Sequence, residues 1–200
     1  VNVVTDPRPP ATPRKRRVGG EGEPEVFVAD EQNAVAIDPA RWSDLVRAVL
    51  VDEGVRGNTE LSLLFVDELS ITELNERFMG VDGPTDVLAF PIDASEIEIV
   101  ATRAPATIGP DRSPGDPAEL PLLLGDVVVC PTVAARQAPD HAGTVDDELA
   151  LLIVHGVLHV LGHDHHEADE TAVMRARERA LLEAHHWHGP APAGFRHEQP

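Results

Sequence analysis

Residues 148–161 read ELALLIVHGVLHVL, from Glu148 to Leu161, and this stretch decides the fold. Apolar side chains fall on nearly every face at helical spacing, which is the pattern of a helix enclosed on all sides rather than one lying on a surface. Thr144 with Asp147 fits a capping box just before it, and Gly162 is a natural stop just after it. The expected helix runs over about 145–161. Beyond the acidic first turn, only His155 and His159 interrupt its apolar surface. They are four apart, so their rings share one face of the helix. An imidazole there is costly unless its polar atoms are satisfied.

Working outward, EVFVA at 25–29 predicts a strand. Asp38 as cap with Pro39 at the first helical position opens a helix. Trp42, Leu45, Val46, Val49 and Leu50 form its buried face, and Gly54 lies near its stop. LSLLFV at 61–66 predicts a second strand and TDVLAF at 85–90 a third, with a short helix over Ile71, Leu74, Asn75 and Phe78 between them. Residues 101–121 carry five prolines and predict a long loop. LLLGDVVVC at 122–130 is the fourth strand, with Gly125-Asp126 as its place for a break or bulge. Helices are expected from Pro131 to Gln137 and from about Glu167 to His186. The last of these shows Val173, Ala176, Ala180, Leu181 and Ala184 on one face. The expected class is α+β: a small mixed four-stranded sheet packed with helices around the central helix.

The chain has 200 residues, with 16 basic and 35 acidic side chains and a net charge of −19. That length suits one domain. The acidity argues against a general nucleic-acid coat. One cysteine excludes a disulfide framework or a cysteine-rich zinc finger, and Cys130 reads as core. No apolar run reaches membrane-spanning length, so a reducing cytoplasm is the expected compartment. Val1 rather than Met opens the sequence, so an upstream start is expected. Residues 1–24 read as a disordered, basic, Pro-rich arm, with five basic groups and one acid in the first twenty residues. Residues 25–187 are the expected domain and 188–200 a flexible tail.

The block His155-Gly-Val-Leu-His159-Val-Leu-Gly162-His163-Asp164-His165 has the spacing of a metal site. Gly162 turns the chain back and lets His165 supply a third nitrogen. Three neutral imidazoles hold a tetrahedral Zn²⁺ with one position open for water, which is the plan of a catalytic site. His163 and His166 compete with His165 for the third place. Asp164 is a candidate partner of an imidazole N–H or a cap of the turn. His185, His186, His188 and His197 read as incidental. The spacing also fits H-E-x-x-H-x-x-G-x-x-H, the zinc peptidase pattern, except that Gly156 stands where the general-base glutamate belongs.

The string HGVLHVLGHDH resembles the signature of the YbeY family of metal-dependent endoribonucleases, roughly H-G-x-L-H-L-x-G-Y-D-H. Gly83-Pro84-Thr85-Asp86-Val87-Leu88-Ala89-Phe90-Pro91 resembles the family's P-T-D-V-L-S-F-P, and Leu124-Gly125-Asp126-Val127-Val128-Val129-Cys130 its L-G-D-I-x-I-C strand. The three blocks occur in family order over about 25–187. The resemblance implies a zinc ion on His155, His159 and His165, which makes the central helix a metal-binding one. It also implies action on single-stranded RNA, maturation of the 3′ end of small-subunit ribosomal RNA and ribosome quality control. Three departures stand out. His163 replaces a usual Tyr, Ala89 replaces a common Ser, and Met79 stands where many members have a helping arginine. Arg77 is the nearest basic residue, so either it takes that role or the site works without it.

The expected reaction is hydrolysis of an RNA phosphodiester, with water or the substrate's 2′-OH attacking. The expected partners are single-stranded RNA and the small ribosomal subunit or its precursor, with neither DNA nor membrane. RNA must approach a strongly acidic chain, so local cations are needed; Arg41, Arg47, Arg56, Arg77 and Arg136 are candidates. Asp86 either holds the 85–90 strand near the metal or caps a turn, and Asp126 is equally open. The competing classes are a zinc peptide or amide hydrolase, a non-catalytic ribosome assembly factor, and a structural zinc site.

Overall fold

The computed structural model describes residues 2–3, 22–92, 121–163 and 168–197. Its elements are β1 (Asn2–Val3), β2 (Glu25–Asp30), α1 (Pro39–Asp52), β3 (Thr59–Phe65), α2 (Glu68–Met79), β4 (Val87–Pro91), β5 (Leu122–Val129), α3 (Pro131–Gln137), α4 (Val145–Val160) and α5 (Ala168–His185). The sheet order is β1-β4-β5-β3-β2. β2 and β5 both run parallel to β3, and β4 runs antiparallel to β5, so the sheet is mixed as expected. The two-residue β1 adds a fifth strand at the edge, where the sequence pattern gave none; it pairs with Leu88 and Ala89. The rest of the predicted arm, 4–21, lies outside the described residues, as does most of the predicted loop at 101–121.

Strand alternation divides the core in two. Leu61, Leu63, Phe65, Val87, Ala89, Val127 and Val129 face one side and join α1, α4 and α5 in the larger core. Leu88 and Val128 face the other side, where Ile71 and Leu74 of α2 cover them together with Val133. Cys130 is buried in this second cluster. The start of α1 follows the expected chemistry: the Asp38 side chain accepts the N–H groups of Ala40 and Arg41, and Pro39 follows it. The expected irregularity in β5 is a bulge. Register with β3 passes from Glu60↔Leu123 to Leu61↔Gly125, leaving Leu124 as the extra residue. Gly125 has φ 147, and a Cβ there would meet the Phe90 carbonyl oxygen at 2.3 Å.

α4 has thirteen buried residues out of sixteen, which is the enclosed helix its sequence predicts. Thr144 Oγ1 accepts the Asp147 N–H at 3.0 Å. The return bond differs from a capping box, because the Thr144 hydroxyl donates to the Asp147 carboxylate at 2.6 Å. That carboxylate also accepts the Trp187 indole N–H at 2.6 Å, tying the start of α4 to the end of α5.

α5 corrects the sequence reading. Val173, Ala176, Ala180 and Ala184 are exposed, and the buried face is Met174, Glu178, Leu181 and Leu182. The pattern misled because a carboxylate sits in the middle of the buried stripe. Residues 189–197 also fold back onto the domain. Phe195 packs edge-on against Trp187 with ring centroids 4.8 Å apart, and the Arg196 N–H donates to the His141 carbonyl. Residues 198–200 lie outside the described residues.

Candidate metal centre

α4 carries His155 and His159 on one face, as their spacing predicts. Their rings meet edge to face with centroids 4.5 Å apart. The two Nε2 atoms converge to 2.9 Å. His159 is buried and His155 nearly so. Two converging imidazole nitrogens in an apolar helix suit a borderline-soft cation such as Zn²⁺. The third expected ligand, His165, lies outside the described residues, as do Asp164 and His166. Among the described residues no group of three metal-binding side chains comes together. Gly162, at φ 89, makes the turn that follows the helix. His163, the competing ligand, instead meets the Glu53 carboxylate at 3.3 Å.

The ring of His155 is held from behind. Its Nδ1–H donates to Glu178 Oε1 at 2.5 Å. The other oxygen, Oε2, accepts from His197 Nε2 at 2.9 Å. Burial alone would raise the Glu178 carboxyl, but the two imidazoles outweigh it and hold the group at about 2. Sequence reasoning missed Glu178, since a glutamate in a helix reads as a solvated residue. It also set His197 aside as incidental, and the structure places that ring against Glu178. His185 and His186 likewise have carboxylate partners, Asp52 and Asp147.

A cavity of about 140 Å³ opens beside His155. Asp86, His141 and Glu148 line it near the start of α4, while Arg175, Glu178 and His197 line it from α5 and the chain's end. The Asp86 carboxylate accepts the Val87 N–H at 2.8 Å and the Thr85 hydroxyl at 3.2 Å. It therefore anchors the start of β4 and faces the cavity as well. Asp126 is half-buried in β5, opposite Ser62 and Phe90.

The predicted cations lie elsewhere. Arg41 forms a two-pronged pair with Asp146, Arg47 pairs with Asp44 and Arg136 with Glu68. Arg56 donates to the Val51 and Val55 carbonyls. Arg77 sits in the last turn of α2 with its guanidinium 5.1 Å from the Phe78 ring centroid. Arg175, which lines the cavity, was missed because a single arginine in an amphipathic helix carries no pattern.

Gly156 bears on the peptidase alternative. A Cβ at this position would lie 2.6 Å from Val127 Cγ1 and 3.4 Å from Val87 Cγ2. The position after the first histidine therefore faces the sheet core, where the peptidase glutamate has no room and no access to water.

Comparison with known proteins adds a family to this geometry. The family model described as Endoribonuclease YbeY matches residues 27–186. A relative of that name from Salinispora tropica is 44% identical over 157 residues, covering 78% of this chain and 93% of its own. One from Acidothermus cellulolyticus is 43% identical over 159 residues, covering 80% and 90%. One from Beutenbergia cavernae is 42% identical over 151 residues, covering 76% and 91%.

Proposed function

The chain belongs to the endoribonuclease YbeY family, and from that premise we propose a zinc-dependent, single-strand-specific endoribonuclease acting in ribosomal RNA maturation and ribosome quality control. Membership supplies the hydrolase class. The observation that carries the metal reading is the convergence of His155 and His159 Nε2 at 2.9 Å, with the His155 ring backed by a carboxylate. His165 completes the proposed ligand set after the Gly162 turn.

Zinc held by that set would supply Lewis acidity toward a phosphate oxygen. The protein's own part is to orient and to balance charge. Glu178 fixes the tautomer of His155 by accepting its Nδ1–H. Asp86 pins the start of β4 beside the cavity. The cavity favours Arg175 as the cation that meets the phosphate, and Arg77, which the family resemblance brings forward, is held to the same test. The proposed partners are single-stranded RNA and the small ribosomal subunit or its precursor. The proposed compartment is the cytoplasm; no helix among the described residues is long and apolar enough to cross a membrane.

The test is cleavage of a labelled single-stranded RNA spanning a small-subunit ribosomal RNA 3′ junction by zinc-loaded protein, with His159→Ala alongside. Cleavage lost in the variant is the expected result. Equal cleavage by both proteins, or by neither with zinc bound, overturns the reading. A 2′,3′-cyclic phosphate product assigns the attack to the 2′-OH, and a 5′-phosphate assigns it to water.

A further inference from the structure

We propose that Glu178 and His197 form a positioning pair for His155, so that the segment after α5 helps to set the affinity of the metal centre. This rests on the reading of His155 as a metal ligand. The Glu178 carboxylate is 2% exposed and divides its two oxygens between two rings. Oε1 takes the Nδ1–H of His155. A ring held at Nδ1 presents Nε2, and here that atom points at Nε2 of His159. Ring orientation and tautomer are thus fixed before any ion arrives, and partners of this kind tune metal affinity.

The second half of the pair comes from outside the region that the family model matches, which ends at residue 186. His197 reaches Glu178 because the chain turns back after α5. The Phe195 ring lies between Trp187 and His197, with centroids 4.8 and 5.1 Å away. The Arg196 N–H holds this segment to the His141 carbonyl. On the other side, Met174, Leu181 and Leu182 lock the rotation of α5 in the core. Glu178 is therefore fixed from its backbone outward, and His197 stops the carboxylate from swinging away from His155.

A merely structural role would have Glu178 tie α5 to α4 without touching metal affinity. The experiment measures zinc affinity of the full-length protein by competition with a chromogenic chelator, and the visible absorption of the cobalt-substituted form, for Glu178→Gln, His197→Ala and His155→Ala. Glu178→Gln is expected to weaken zinc binding about 10–100-fold and to shift the cobalt spectrum. His197→Ala is expected to weaken it by a smaller factor with an unchanged circular dichroism spectrum. Since His197 lies after α5 and is partly exposed, that variant decides the matter if Glu178→Gln does not fold. Zinc affinity within about twofold of wild type in both variants, whatever their melting temperatures, overturns the proposal. Undiminished zinc binding by His155→Ala overturns the metal reading itself, and the positioning pair with it.

Discussion

Glu148 and Glu178 both line one cavity, and both are almost fully buried. Their carboxyls nevertheless shift in opposite directions. At Glu148, burial dominates and pushes the group up, with the nearby Asp86 charge adding to it, despite the Ala142 N–H and the His141 ring. At Glu178, two imidazoles overcome burial and hold the group at about 2. Burial does not decide the charge state of these two glutamates; the number and kind of donors do. The cavity wall thus carries one carboxylate held ionised against His155 and another that resists ionisation.

The largest expected effect comes from cutting the partner away at Glu178. His155→Ala removes one of its two imidazoles. It should abolish RNA cleavage and lower stability by about 3 kcal/mol or more, since a buried carboxylate loses a partner. His159→Ala should also abolish cleavage but cost less in chemical denaturation, because Glu178 keeps both of its rings. Equal stability losses in the two variants would break the contrast.

A middle-sized effect belongs to the cavity wall. Arg175→Ala should raise KM for single-stranded RNA about tenfold, the factor carried by a contact of ~1.4 kcal/mol, with kcat little changed. Arg77→Ala, measured in the same assay, ranks the two arginines directly. If only Arg77→Ala raises KM, the phosphate approaches from the α2 side.

The smallest effect is at Glu148. A raised carboxyl stabilises the fold below the ordinary glutamate range and loses that contribution as pH rises through its folded value. Glu148→Gln keeps an acceptor for the Ala142 N–H and carries no charge. Its melting temperature should therefore gain on wild type as pH rises from the acid range toward neutral, then level off. A difference that runs the other way, with the variant losing ground to wild type as pH rises through the acid range, would place Glu148 alongside Glu178 instead of opposite it.

What the sequence made legible follows the same division. α4 was readable because an enclosed helix is apolar all round, and its cap, stop and histidine spacing are local signals. The bulge in β5 was readable from Gly125-Asp126 set between the apolar runs Leu122–Leu124 and Val127–Val129. α5 was readable as a helix but not in its rotation. Val173 and its alanines imitate an apolar face, while the true face contains Glu178, whose burial depends on His155 and on His197 nineteen residues later. β1 was not readable, because two residues paired with β4 carry no periodicity. Long-range partners of polar groups leave no periodic trace, and the unread parts of the site consist of them.

Gly156 has one further consequence, for the evolutionary reach of the site. Glycine and glutamate codons can differ by a single base, so the change from this motif to the peptidase motif is mutationally near. The Val127 methyl at 2.6 Å from a would-be Cβ closes that route sterically. Descendants of this chain cannot drift into peptide hydrolysis at position 156 without first moving the helix off its sheet.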